Sequence, residues 1–149
     1  MPNEITSEPE LEQIVRGLRT IAVVGMKDEA RPDEAAYSVP HMLQARGLRV
    51  IPVNPTITAS LGEPSRPNLA AVREPVDLVD VFRRPEVVEA LADEILALPP
   101  EHRPPVVWMQ SGIRNDAAAA KLTAAGIRVV MNRCLGVYAA RYLGKSVKS

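Results

Sequence analysis

Five short apolar runs, each separated from the next by a segment long enough for a helix, constrain this chain more than any other feature. The runs are Thr20 to Val24, Leu48 to Val53, Val76 to Phe82, Pro105 to Met109 and Ile127 to Met131. They are rich in Val and Ile and apolar nearly throughout. Strands of that kind are buried on both faces, which requires a parallel sheet with helices above and below it. The intervening segments agree. Ser7-Glu8-Pro9-Glu10 has the form of a helix start, with Ser7 as N-cap, Glu10 reaching back to it and proline near the first turn. Leu11, Ile14, Val15 and Leu18 then follow at helical spacing. Further helices are predicted from Tyr37 to Arg46, from Pro85 to Leu98, from Asn115 to Ala125 and from Leu135 to Leu143. Pro40 either lies in a first turn or kinks its helix. The stretch 56–72 reads as irregular, with a short helix near Leu69 to Val72 and room for a short extra edge strand.

Strands alternating with helices predict an α/β, doubly wound parallel sheet of about five strands in the order 2-1-3-4-5. Residues 1–149 read as a single domain with frayed tails at 1–6 and 145–149. Only 3% of residues are aromatic, so Val, Leu, Ile and Ala must fill the core. The 18 basic and 18 acidic side chains cancel, which argues against a general attraction to nucleic acid or an anionic membrane. Any bound anion must be held by a local cluster. One cysteine allows no internal disulfide and fits a reducing compartment. No leader and no apolar run of membrane-helix length is evident, so a cytoplasmic protein is expected.

In a doubly wound sheet the ligand crevice opens beyond the carboxyl ends of the strands, where strand order reverses. Gly25, Met26 and Lys27 leave the first strand there, and Phe82, Arg83 and Arg84 leave the third. Val53, Asn54 and Pro55 leave the neighbouring second strand, and Gln110, Ser111 and Gly112 the fourth. Gly25 permits close approach of backbone and ligand, and the N–H groups beyond it can face an anion. Lys27, Arg31 and Arg83 supply the positive charge a pyrophosphate requires, and Phe82 and the prolines offer apolar walls for a base. The set suits an anionic, nucleotide-like ligand, against the plainer reading of a solvated cluster of loop charges. NAD fits poorly, because the first turn reads Gly25-Met26-Lys27-Asp28-Glu29-Ala30 with one glycine and the second strand ends in Asn54 rather than a carboxylate.

The wording of the strands resembles the small stand-alone CoA-binding proteins, which look like the amino-terminal domain of the succinyl-CoA synthetase α subunit. The matching residues are Ala22-Val23-Val24-Gly25, Ile51-Pro52-Val53-Asn54-Pro55 and Val79-Asp80-Val81-Phe82-Arg83-Arg84-Pro85. Val107-Trp108-Met109-Gln110-Ser111-Gly112-Ile113 and Val129-Val130-Met131-Asn132-Arg133-Cys134 complete them, so the resemblance covers about Val15 to Leu143. It implies a Rossmann-like domain that binds coenzyme A or an acyl-CoA at the same crevice. Two departures stand out. Lys27 replaces a small hydroxyl residue, and Ala36-Tyr37 stands where relatives open the next helix with Ser-Tyr, leaving Tyr37 as the lining candidate. Ser111 also stands where a larger apolar residue is usual.

No catalytic constellation is found. His41 among apolar neighbours and His102 in a proline-rich loop read as structural or surface residues, and no group has metal-ligand spacing. Cys134, just before the last helix, reads as a small packed thiol rather than a nucleophile. Trp108 reads as core. Asp80, if buried, must be hydrogen-bonded or paired, for instance with an arginine. The expected function is therefore binding of CoA or acyl-CoA without catalysis. Its rivals are an acyl-CoA ligase or transferase, a nucleotide-dependent enzyme using the same crevice, and a scaffold without ligand. Ligase chemistry in the larger relatives needs a phosphorylatable histidine from a following domain, which this chain is expected to lack. Monomer and homodimer remain open.

Overall fold

The computed structural model describes residues 4–144. Its central sheet contains β1 (Thr20–Val24), β2 (Arg49–Val53), β5 (Leu78–Val81), β6 (Val106–Met109) and β7 (Arg128–Val130), all parallel, in the order β2-β1-β5-β6-β7. The numbers β3 (Ala59–Ser60) and β4 (Glu63–Pro64) belong to a separate antiparallel hairpin. Counted along the main sheet alone, the order is the predicted 2-1-3-4-5.

Side chains on successive strand residues point to opposite faces, and both sets are buried. Ile21, Val23, Leu78, Val106 and Trp108 share a core with α1 (Glu8–Arg16), α2 (Ala35–Ala45) and α5 (Leu135–Tyr142). Ala22, Val24, Val79, Val81 and Val107 share the other with α3 (Val88–Leu96) and α4 (Asp116–Ala124). Helices thus cover both faces, as apolar strands demand. Ser7 caps α1, its hydroxyl accepting from the Glu10 N–H at 3.5 Å. The predicted helix from Pro85 begins as a 3-10 turn, Pro85–Val87, before α3.

Pro40 is inside α2, beyond its first turn, since that helix starts two residues earlier than predicted. Having no N–H, Pro40 cannot bond the Ala36 carbonyl four residues back. That carbonyl instead accepts the N–H of Lys27 at 3.0 Å. The irregular 56–72 stretch supplies the 3-10 turn Leu69–Ala71 and the hairpin. The extra edge strand reduces to one parallel bridge, Arg66 beside Val53.

Two expectations need correction. The amino-terminal tail was expected to fray through residue 6, yet the Ile5 N–H donates to the Val129 carbonyl at 2.7 Å and Glu4 pairs with Arg114 at 2.9 Å. Backbone pairing along the open edge of β7 is the reason. Residues 1–3 and the predicted tail 145–149 lie outside the described residues. Asp80, if buried, is expected to have a partner; it is fully buried, yet among the described residues neither carboxyl oxygen is hydrogen-bonded. Its in-register neighbours are Val23 and Trp108, so its face of the sheet is apolar there. Burial pushes its pKa well above the usual carboxylate range, and the nearby Val81 backbone, outside hydrogen-bonding geometry, does not cancel that. A neutral acid is the form such a place holds. Asp77, by contrast, is spent on the Arg19 and Thr20 N–H groups, each at 2.9 Å, and ties the starts of β5 and β1 together.

Candidate functional site

Strand order reverses between β1 and β5, and the residues just past their carboxyl ends lie close together. Gly25 has φ +86°, and a Cβ there would overlap the carbonyl oxygen of Phe82. Glycine is required because the residue after β1 lies so close to the Phe82 carbonyl after β5 that no side chain fits. The approach it permits is therefore first to protein, and only the rim of the turn faces outward. The Gly25 N–H is spent on the Val53 carbonyl at 2.9 Å, and the Phe82 N–H on that of Val24 at 2.9 Å. The Lys27 N–H goes to Ala36, so of the first three amides only that of Met26 has no acceptor among the described residues.

Several predicted lining side chains are committed inside the protein. Met26 is fully buried in the core beneath α2, and Val53 is buried in the core on the other face. Asn54, 7% exposed, donates from Nδ2 to the Met26 carbonyl at 2.8 Å and accepts from the Thr56 N–H and hydroxyl at 2.9 and 2.7 Å. Gln110, 4% exposed, accepts the Leu135 N–H at 3.0 Å and so caps α5, while its amide approaches the Cys134 sulfur at 3.8 Å. Cys134 is half-buried at that helix start. Gln110 thus differs from the expectation of a side chain free to touch ligand: a long amide at a strand end found the orphan donor of a helix first. Tyr37 is buried in the first turn of α2, its ring 5.5 Å from that of His41.

The residues that remain open form a smaller set. Pro55, Arg83, Ser111 and Gly112 are exposed, and Lys27 and Phe82 are half-buried. The Gly112 N–H is taken by Asn132 Oδ1 at 2.7 Å. Arg83 lines a groove of about 170 Å³ with Val24, Val87, Ala90, Leu91 and Glu94, where the ends of β1 and β5 meet α3. Larger hollows of about 280 and 390 Å³ lie beside Arg73 and His102, at the amino ends of β5 and β6, and along α1. Volume does not single out the crevice; topology does.

Among the described residues no carboxylate pairs with Lys27 or Arg83, nor with the exposed Arg19, Arg73 and Arg128, so it is their place that sets the first two apart. One leaves β1 and the other β5, on the two sides of the switch point. Arg31 is different, exposed and 3.6 Å from Glu34. The same loop carries Asp28, Glu29, Asp33 and Glu34, yet two of these are turned to backbone donors. Asp28 accepts from the Ala30 N–H at 3.0 Å and Glu29 from the Leu61 N–H at 2.8 Å. Among the described residues no three His, Cys, Asp or Glu side chains come together as a metal site, and no helix is long and apolar enough to cross a membrane.

Sequence reading missed the hairpin that walls this loop. Ser60 is 1% exposed, and its hydroxyl donates to the Lys27 carbonyl at 2.8 Å. The two-residue turn Leu61-Gly62 has φ of 52° and 80°, as a tight hairpin requires. An Asn-Gly or Asp-Gly pair would have announced it; Leu-Gly does not.

Known proteins share this architecture. The uncharacterised protein YneT of Bacillus subtilis is 38% identical over 131 residues, 88% of this chain and 93% of its own. A solved Thermus thermophilus structure is also 38% identical, with a TM-score of 0.84 over 93% of this chain and all of the other. A hypothetical protein from Pyrococcus horikoshii OT3 superposes with a TM-score of 0.84 at 27% identity, over 97% of both chains. A family profile described as a CoA binding domain matches residues 19–140, the span that runs from the start of β1 to within α5. In agreement with its five strand-end motifs, this chain belongs to the CoA binding domain family.

Proposed function

We propose that this protein binds coenzyme A or an acyl-CoA at the switch point and carries out no chemistry on it. The observation that carries the reading is the place of two cations without a carboxylate partner, Lys27 and Arg83, on either side of the β1–β5 switch point. A diphosphate placed over the rim of the Gly25 turn meets positive charge from both strand exits. The groove beside Arg83, lined by Val24, Val87, Ala90 and Leu91 with Glu94 among them, offers a partly apolar surface to the less charged part of the ligand. The Gly25 turn then acts as a rigid floor, because its geometry is fixed by Phe82 rather than by the ligand.

Calorimetric titration of the full chain with CoA, acetyl-CoA, NAD and ATP tests this. CoA and acetyl-CoA are expected to bind, with NAD and ATP much weaker and no CoA ester consumed. Lys27→Ala and Arg83→Ala should each weaken CoA about tenfold, the loss of one partly screened phosphate contact. Binding of NAD or ATP in preference to CoA, or native CoA affinity in both variants, would refute the assignment.

A further inference from the structure

Lys27 stands on the loop 25–34, and a lysine side chain there has many conformations to lose on meeting a ligand. Its backbone, however, is fixed from two directions. The N–H is held by the Ala36 carbonyl, which is available because residue 40 is a proline and brings no N–H to it. The carbonyl is held by the buried Ser60 hydroxyl at 2.8 Å. Ser60 is in turn fixed by the hairpin tip. Leu61 adopts φ 52°, a conformation unfavourable to leucine, and is pinned through its N–H by Glu29 and through its carbonyl by Gln44 Nε2 at 3.0 Å. Neither Pro40 nor Ser60 is open to the crevice, as both are buried.

We propose that Pro40 and Ser60 are positioning residues for ligand binding, fixing the Lys27 backbone so that its ammonium is presented to an anionic group of CoA. The inference rests on the function proposed above and adds to it a specific device. A helix-interior proline is retained because it frees one carbonyl, and a strained hairpin because it delivers one hydroxyl.

The test is a double-variant cycle read by calorimetric CoA titration of the full chain. Ser60→Ala and Pro40→Ala are each expected to weaken CoA about fivefold, as one buried hydrogen bond suggests. With Lys27→Ala already present, each should change affinity by less than about twofold. The two variants should also flatten the salt dependence of CoA affinity, as Lys27→Ala does. Pro40→Ala adds a second check, because restoring an N–H inside α2 favours the helix, so thermal stability should hold or rise while affinity falls. Native affinity in both single variants, or an equal loss with and without Lys27, overturns the device and leaves CoA binding intact. Native affinity in Lys27→Ala overturns the role of Lys27 and the device together.

Discussion

The outer edge of β2, with Arg49 and Arg66, and the mouth between β1 and β5, with Lys27 and Arg83, treat positive charge in opposite ways. At the edge, Arg49 bonds Glu63 at 2.8 Å and Glu74 at 2.9 Å, and Arg66 bonds Glu74 at 2.7 Å. Every cation there is answered, and Arg66 has only 17% of its side chain exposed. At the mouth, Lys27 and Arg83 have no carboxylate partner among the described residues, while Arg31 and Arg84 reach only Glu34 and Glu86, each at 3.6 Å. The backbone there is not loose. Gly25 is locked under Phe82 and Lys27 is tied at both its N–H and its carbonyl. Rigid backbone under unpaired charge is a preorganised receptor for an anion; paired charge on an edge is a fastening.

The largest effect should come from the close approach that makes the mouth rigid. Gly25→Ala must overlap the Phe82 carbonyl and hold alanine at a φ of +86°. Strain and overpacking together should cost about 3–5 kcal/mol, seen as a large fall in the urea midpoint. A loss under about 1 kcal/mol would mean the close approach is pliable, and the contrast between a rigid mouth and a fastened edge would fail.

Next comes a carboxylate that belongs to neither region. Asp80 has no cation and no hydrogen bond among the described residues, and burial raises its pKa. The unfolded chain releases this proton near the ordinary value of 3.8, while the folded chain keeps it to higher pH. The folded state therefore binds more protons across that window. Its stability contribution is intact below about pH 4 and falls by about 1.4 kcal/mol per pH unit until the folded pKa is reached. Chemical denaturation across pH, compared between the native chain and Asp80→Asn, should show this slope vanish in the variant. An unchanged slope would mean that Asp80 is charged and answered after all. If the slope vanishes, the chain neutralises buried charge that it cannot pair, and the unpaired charge at the mouth is affordable only because it faces solvent or ligand.

The fold was legible because its signal is repeated. Five buried strands and their helices are each written in the local pattern, and all five strands begin and end within two residues of the prediction; the small differences arise where a flanking residue such as Asp77 turns its side chain to other bonds. The mouth was legible as a place, since topology alone puts strand exits there. Its division of labour was not. Nothing in the local pattern tells that Asn54 and Gln110 spend their amides on the Met26 carbonyl and the Leu135 N–H, 28 and 25 residues away. Nor does it reveal that Pro40 serves Lys27. Those are long-range hydrogen bonds between groups brought together only by the finished sheet.

Acidification addresses the edge. Glu63 is held below the ordinary carboxylate value, chiefly by its hydrogen bond from Arg49, and Glu74 chiefly by its own backbone N–H and then Arg66 and Arg49. Lowered values give stability that is present above the unfolded pKa near 4.5 and lost as pH falls through the folded values. Arg66→Ala should cost about 1–2 kcal/mol at neutral pH and shrink the acid loss, with CoA affinity unchanged. Reduced CoA affinity in this variant would join the two regions into one site and dissolve the comparison.

The smallest expected effect is the most informative. Lys27→Ala and Arg83→Ala should alter unfolding free energy by no more than about 0.5 kcal/mol, because neither ammonium nor guanidinium is bonded to anything that folding secures. A cation used for fastening loses stability when removed, as at Arg66, whereas a cation held for a ligand loses only affinity. Equilibrium denaturation without CoA, followed by the same measurement with saturating CoA, separates these. The free variants should unfold with the native chain. The ligand should then raise the native midpoint more than theirs, since stabilisation by a ligand grows with concentration over Kd. If either variant is instead destabilised by more than about 1 kcal/mol in the absence of ligand, its charge is answered within the fold, and the mouth is fastened in the same way as the edge.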